Sequence, residues 1–473
     1  MDTTRRHLLR WALAGLTPAS AAGPETHQAT GVKAGEVTPS SARIWTRRTR
    51  ASVRRPDGLA ARRVQPVTLP LPVDTSSLEG SCPGEAGAMR VLLRPAGGGA
   101  ARATDWAEVD PAADFSHQFP VEGLRPATPY SYTVETRAAG SRKTDGVLTG
   151  AFQTAPAETD PAVVDLAMLS CQKYSERDDE RGFHLYDAIS RLRPHFYFSV
   201  GDNVYYDSDD PLVNHTSVAR HHWNRMFSLP RIVDCLRALA GYWLKDDHDC
   251  YSDDCWPDMV AEKLKPFRWE EGLKIFPGQV PIGPKPYRSF RWGRGLEVWL
   301  LEGRDFRAPN PLPDGPSKSI WGETQKSWLK QSLAASTADW RLIVSPTPMV
   351  GPDRPTKHDN HSNDNFQAEG EEFRRWLAQH AGDNTFVLCG DRHWQYHSID
   401  PSTGVREFGC GAASDSHAGG TPGENPRYHR FHRVKGGFLS IRARPESRAS
   451  RLTIEHRDVH GNIVYAQSFA RKV

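Results

Sequence analysis

Phe196-Tyr-Phe-Ser-Val-Gly-Asp-Asn-Val-Tyr-Tyr-Asp207 is an apolar run that stops in glycine, carboxylate, amide and phenol groups. It reads as a buried strand that delivers polar groups to one place, as open α/β proteins do beyond the carboxyl ends of their strands. Three more stretches share the construction. Ala162-Val-Val-Asp-Leu-Ala-Met-Leu-Ser170 ends in Cys171-Gln172, Leu239-Ala-Gly-Tyr-Trp-Leu244 ends in Lys245-Asp-Asp-His-Asp249, and Thr385-Phe-Val-Leu-Cys389 ends in Gly390-Asp-Arg-His393. Strands that alternate with helix-like stretches, such as residues 182–190, mark an α/β domain, whose parallel strands bring the four tails to one edge.

One polar tail after a strand is an ordinary turn. Four that together hold a thiol, a phenol, at least three carboxylates and two imidazoles describe a metal site. Thiolate and phenolate beside carboxylates and an imidazole suit a trivalent or borderline transition ion, with iron(III) first. The surplus carboxylates and the Asn203 amide suit a hard divalent ion such as calcium. Structural zinc fits poorly without a Cys-x-x-Cys pair. Closely spaced ions polarise a phosphoryl oxygen and hold an oxygen nucleophile in line, so the chemistry expected is phosphoester hydrolysis.

Composition sets outer bounds. At 473 residues, with 38% apolar and 25% charged residues, the chain is long enough for two or three packed domains. Arg5, Arg6 and Arg10 against Asp2 contribute much of the formal net charge of +3, and the near-neutral remainder makes no electrostatic case for nucleic acid. No apolar run reaches the about 18 residues of a membrane span. Seven cysteines in so long a chain are not a disulfide scaffold, although Cys250 with Cys255, or Cys389 with Cys410, remain open as bridges.

Thr4-Arg-Arg-His-Leu-Leu-Arg10, a short apolar stretch and Ala19-Ser-Ala21 read as a twin-arginine export signal over residues 1–22. The expected route is the twin-arginine machinery, with a periplasmic or extracellular destination. Residues 28–155 alternate apolar and polar around Pro/Gly turns and predict a small β-sandwich of immunoglobulin or fibronectin-III type, with residues 56–84 as an insertion and 154–161 as a linker. Residues 162–473 are then the catalytic domain. Within it, paired strands at 286–301, a helix at 324–333, a strand at 340–346 and closing strands at 451–468 are expected. The polar loop 357–365, between a strand and a helix-like stretch, either lines the substrate pocket or is an ordinary solvated loop, and the segment 409–417, after a strand, is expected to border the site.

As a set, Ser170-Cys171, Gly201-Asp-Asn-Val-Tyr205, Asp246-Asp-His248, Arg304-Asp-Phe-Arg307, Gly322-Glu-Thr-Gln-Lys-Ser-Trp-Leu329 and Gly390-Asp-Arg-His393 resemble the PhoD-like alkaline phosphatases of the calcineurin-like metallophosphoesterases. The resemblance runs over nearly the whole chain. It implies a two-sheet α/β sandwich flanked by helices, behind the β domain. It also implies an iron and calcium cluster held by Cys171, Asp202, Tyr205, Asp391 and His393, with Asp247 where relatives keep a bridging asparagine. His248 would act on the phosphoryl group or leaving oxygen, and Asn203 and Arg392 would contact phosphate. The chain departs from the pattern at Tyr206 and Asp249, each in place of Glu, at Lys245 in place of an aromatic residue, and at Glu302 in place of Asp. The activity implied is hydrolysis of phosphate monoesters, and of diesters in a wider reading. A diesterase acting on phospholipid or cell-wall polymer, and a noncatalytic surface-binding protein with structural metals, are the alternatives.

Overall fold

Phe196–Val200 is a strand, buried along its whole length, in a computed structural model that describes residues 26–58, 66–362 and 364–472. It pairs in parallel with Val164–Leu169 on one side and Ala240–Leu244 on the other. Burial on both faces explains the unbroken apolar run: Phe196, Phe198 and Val200 enter one core while Tyr197 enters another.

These three strands are the centre of a nine-stranded sheet. Phe438–Pro445, Ala449–Arg457 and Ile463–Lys472 extend it antiparallel beyond Val164–Leu169. On the other side Val32–Gly35 runs parallel to Ala240–Leu244 and is followed by Ser41–Arg47 and Ser116–Glu122. A second sheet has seven strands in the order Arg288–Trp292, Leu296–Leu300, Trp340–Ser345, Thr385–Cys389, Arg406–Cys410, Gln395–Ile399 and His429–Arg433.

The two sheets lie face to face. Phe198, Val200 and Leu244 share an apolar core with Val298, Leu342, Val344 and Leu388 of the second sheet. Helices cover the outer faces. His184–Leu192, Thr216–Phe227 and Pro230–Leu236 pack with Tyr197 and Trp243, and Gly322–Ala335 and Gln367–His380 pack with Trp299, Ile343 and Val387. The expected two-sheet sandwich flanked by helices is therefore present.

One expectation is corrected. The four ligand-bearing tails do not leave one sheet edge, because Thr385–Cys389 belongs to the second sheet, between Trp340–Ser345 and Arg406–Cys410. Three tails come from one sheet and the fourth from its partner, and face-to-face packing brings the two edges together.

Five more N-terminal strands, Gly87–Pro95, Arg102–Ala103, Ala107–Glu108, Pro129–Ala138 and Gly146–Gln153, form a separate antiparallel sheet. Its Met89, Val91 and Val134 pack in one cluster with Ile44, Phe119 and Val121. The N-terminal β unit is thus two layers, one of which continues into the nine-stranded sheet where Gly35 pairs with Gly241. The expected signal, residues 1–22, lies outside the described residues. No helix among the described residues is long and apolar enough to cross a membrane.

His456 ties the sheets together. Fully buried on Ala449–Arg457, it places Nε2 3.0 Å from the Tyr396 carbonyl oxygen and 3.1 Å from that of Gly409, both in the opposite sheet. Two carbonyl acceptors require Nε2 to carry the hydrogen, and burial pushes the imidazole pKa down to about 3. The unfolded chain then takes up this proton first, so the stability held above pH ~6.5 is lost as the pH falls towards 3. The contribution reaches on the order of 2 kcal/mol by pH 5. The thermal midpoint is expected to fall between pH 7 and pH 5, and to fall less steeply in His456→Gln; an equal slope in the variant would refute this role.

Candidate metal centre

Three of the expected ligands stand at strand ends with left-handed backbones: Cys171 at φ 54°, Asp202 at φ 53° and Asp391 at φ 63°. Such conformations cost roughly 1–3 kcal/mol at a non-glycine residue and persist where the surroundings overdetermine them. Here the sheet ladder continues past the strands. Cys171 N donates to the Gly201 carbonyl at 3.4 Å, and Gln172 N to that of Asp202 at 3.0 Å.

Two glycines permit the convergence. A methyl group on Gly201 would stand 2.5 Å from Cβ of Asp246. On Gly390 it would stand 2.4 Å from the Val200 carbonyl oxygen and 2.5 Å from Oγ of Ser170.

The tails bring donor atoms into three overlapping groups, each with atoms within 4.8 Å of one another: Cys171, Asp202 and His393; Asp202, Asp247 and His248; and Asp247, Asp253 and Asp254. Asp202 links the first two groups and Asp247 the last two. Tyr205 joins the first, its hydroxyl donating to Oδ2 of Asp202 at 3.1 Å. Asp391 is buried and 3.7 Å from Nζ of Lys357.

These residues fit cations. Oδ1 of Asp202, Oδ1 of Asp247 and Oδ2 of Asp391 are buried without a hydrogen-bond partner, a costly state for a carboxylate that a metal ion relieves. Burial, then the Asp247 charge, raises the Asp202 pKa; burial raises that of Asp391 to about 6. Burial and then Asp202 raise the Cys171 thiol as well. His393 is lowered to about 3, by desolvation and then by charge on His248, which leaves a neutral ring able to ligate.

Around the donors stands a layer that positions them. Asp249 accepts from the backbone N of Asn203 at 2.8 Å, of Val204 at 3.0 Å and of Asp246 at 3.0 Å, and from Nδ2 of Asn203 at 3.0 Å. It clamps the tail of Phe196–Val200 to that of Ala240–Leu244. Asp207 holds His248 by Nδ1 at 2.6 Å. The buried Arg304 guanidinium pairs with Asp246 and lies 3.1 Å from Asp359 and 3.8 Å from Asp247. His417, on the bordering segment, places Nε2 2.9 Å from the Tyr205 hydroxyl and its ring 4.1 Å from that of His393.

Asn203 and Arg392, expected at the phosphate, have their polar groups engaged within the protein. The Asn203 amide is spent on Asp249, the Leu244 carbonyl and Ser199, and the Arg392 guanidinium on Asp353, the Val350 carbonyl and Ser362, both residues being buried. Of the departures, Tyr206 lies in the apolar layer under the helices, where its hydroxyl accepts from Trp223 Nε1 at 2.7 Å. Lys245 and Glu302 form one buried ion pair, so two departures are one coupled change. All seven cysteines are buried free thiols, and neither open pair is bridged.

Two face-to-face sheets with helices outside, and metal-ligand types where the strand ends converge, define the metallophosphoesterase architecture. The solved structure of PhoD matches with a TM-score of 0.70 at 16% identity, covering 96% of this chain and 92% of that one. Purple acid phosphatase from yellow lupin (Lupinus luteus) seeds matches with a TM-score of 0.65 at 12% identity, covering 95% of this chain and 75% of that one. At such identities the likeness is of fold. The profile of the PhoD-like phosphatases matches residues 166–434, more than half of the sequence, and the chain belongs to that family. Alkaline phosphatase D of Bacillus subtilis (strain 168) is 23% identical over an alignment 368 residues long that covers 67% of this chain. The chain spans 60% of the length of that curated relative.

Asp249→Ala leaves three backbone N–H groups without their acceptor in a buried site, at about 1–3 kcal/mol each. A marked drop in thermal midpoint is expected, with Asp249→Asn intermediate. A midpoint unchanged in Asp249→Ala would show that the clamp holds nothing.

Proposed function

We infer that this protein is a metal-dependent phosphoesterase that hydrolyses phosphate monoesters. The observation that carries the reading is the chain of donor groups sharing Asp202 and Asp247, with an oriented imidazole, His248, inside it. Cys171, Asp202, Tyr205, Asp247, Asp391 and His393 would together hold iron and calcium. Bound there, such ions supply Lewis acidity to a phosphoryl group.

The side chains account for the rest. Desolvation opposes charge on His248, while the Asp207 carboxylate, bonded to Nδ1 and outside the donor groups, favours the protonated ring. The ring is therefore a proton donor, fixed by the Asp207 bond, and suited to protonating a leaving oxygen. The buried walls exclude bulk water and strengthen each of these charge interactions. Twin-arginine export, with the metal loaded before translocation, and residues 28–155 as an accessory domain complete the reading; both stem from the sequence pattern.

The test uses protein purified after native export. Elemental analysis is expected to find iron and calcium in the wild type and loss of metal in Asp202→Ala. His248→Ala is expected to keep its metal and lose about 10²–10⁴-fold in kcat on nitrophenyl phosphate. Full activity in His248→Ala would overturn its role, faster turnover of bis-nitrophenyl phosphate would favour a diesterase, and a metal-free, inactive wild type would end the enzyme reading.

A further inference from the structure

The groups at the metal centre divide by exposure. Cys171, Asp202, Tyr205, Asp247 and Asp391 are buried, whereas Lys173, His248, His393 and His417 reach solvent in part, so the donor groups open on that side. Three of these four border one ring, that of Tyr205. The His248 ring lies 4.3 Å from it, the His417 ring 5.2 Å, and Nζ of Lys173 5.8 Å from its centroid. Lys173 therefore stands at the mouth of the donor group that Tyr205 joins through its bond to Asp202.

The backbone fixes the base of this side chain. On one side Gln172 N donates to the Asp202 carbonyl at 3.0 Å, and its Nε2 to that of Asn203 at 3.1 Å. On the other, the N–H groups of Tyr174 and Ser175 each donate to the Asp209 carboxylate at 3.0 Å. The segment that carries His417 is tied alongside, with Ala413 N donating to the Cys171 carbonyl at 3.2 Å and Oγ of Ser416 to that of Glu176 at 2.7 Å.

The other cations near the centre are committed to carboxylates. Arg304 pairs with Asp246, Lys357 with Asp254 and Lys263 with Asp207, and Arg354 lies 3.5 Å from Asp353. Among the described residues, no carboxylate oxygen lies within 4.0 Å of Nζ of Lys173. Its ammonium is a compact point charge on a flexible stem, free to meet an anion that arrives from solvent.

We propose that Lys173 contacts the phosphoryl group of the bound ester and makes the site selective for monoesters, whose phosphoryl group is a dianion, over diesters, whose phosphoryl group is a monoanion. The proposal rests on the phosphoesterase reading above and adds the residue that sets the ester class. Loss of an ammonium facing the phosphoryl oxygens weakens attraction to a dianion more than to a monoanion, and the difference shrinks as salt rises.

The test measures kcat/KM for nitrophenyl phosphate and for bis-nitrophenyl phosphate in metal-loaded wild type, Lys173→Gln and Lys173→Arg, together with calorimetric binding of inorganic phosphate. Lys173→Gln is expected to lower the monoester-to-diester ratio about tenfold and to weaken phosphate binding by a similar factor, both effects being larger at low ionic strength. Lys173→Arg is expected to keep most of both. An unchanged ratio in Lys173→Gln, even with both rates reduced, or an unchanged phosphate affinity would overturn this role and leave the phosphoesterase reading standing. A wild type that hydrolyses neither ester, or the diester faster, would overturn both.

Discussion

At Gly390 the backbone of one sheet lies against the Val200 carbonyl and the Ser170 hydroxyl of the other, a contact that leaves no room for a side chain. Everything in the centre follows from that approach. It sets Asp391 and His393, from the seven-stranded sheet, among Cys171, Asp202 and Asp247, from the nine-stranded one. Carboxylates brought together in this way repel one another and lose their water, so the site is stable only with compensating positive charge. Arg304, Lys357 and a protonated His248 supply part of it. The unpartnered oxygens of Asp202, Asp247 and Asp391 mark what remains for metal ions.

The departures from the family pattern become intelligible in the same terms. A buried lysine at position 245 needs an anion, and Glu302 reaches it across from the neighbouring sheet with Asp305 3.0 Å away. Asp249, one methylene shorter than the expected glutamate, lies in the short helix Asp247–Cys250 and accepts from three backbone N–H groups. Tyr206 turns into the apolar layer under the Thr216–Phe227 helix. The donor set itself is untouched by these changes.

Much of the fold was legible along the chain. Strands such as Phe196–Val200 and Thr385–Cys389, buried on both faces, leave unbroken apolar runs, and the N-terminal strands, half-exposed, leave alternation. Cys171, Asp202, Tyr205, Asp247, His248, Asp391 and His393 stand out along the chain because each follows such a run and has a side chain suited to ligation or proton transfer. Asn203 and Arg392 follow the same runs and have equally suitable side chains, yet their hydrogen bonds are consumed by Asp249 and Asp353, residues 46 and 39 positions away. The clamp at Asp249 and the sheet-spanning His456 are likewise long-range pairings without a local signature.

Local sequence therefore settled which segments become strands and which chemical groups end them, because burial and ligand type are properties of neighbouring residues. Tertiary structure alone decided that the fourth tail arrives from the opposite sheet, that His417 reaches Tyr205 from 212 residues away, and that Lys357 bonds Asp254 and lies 3.7 Å from Asp391. Those facts depend on how two sheets pack, and packing is a matter of contact between residues distant in the chain.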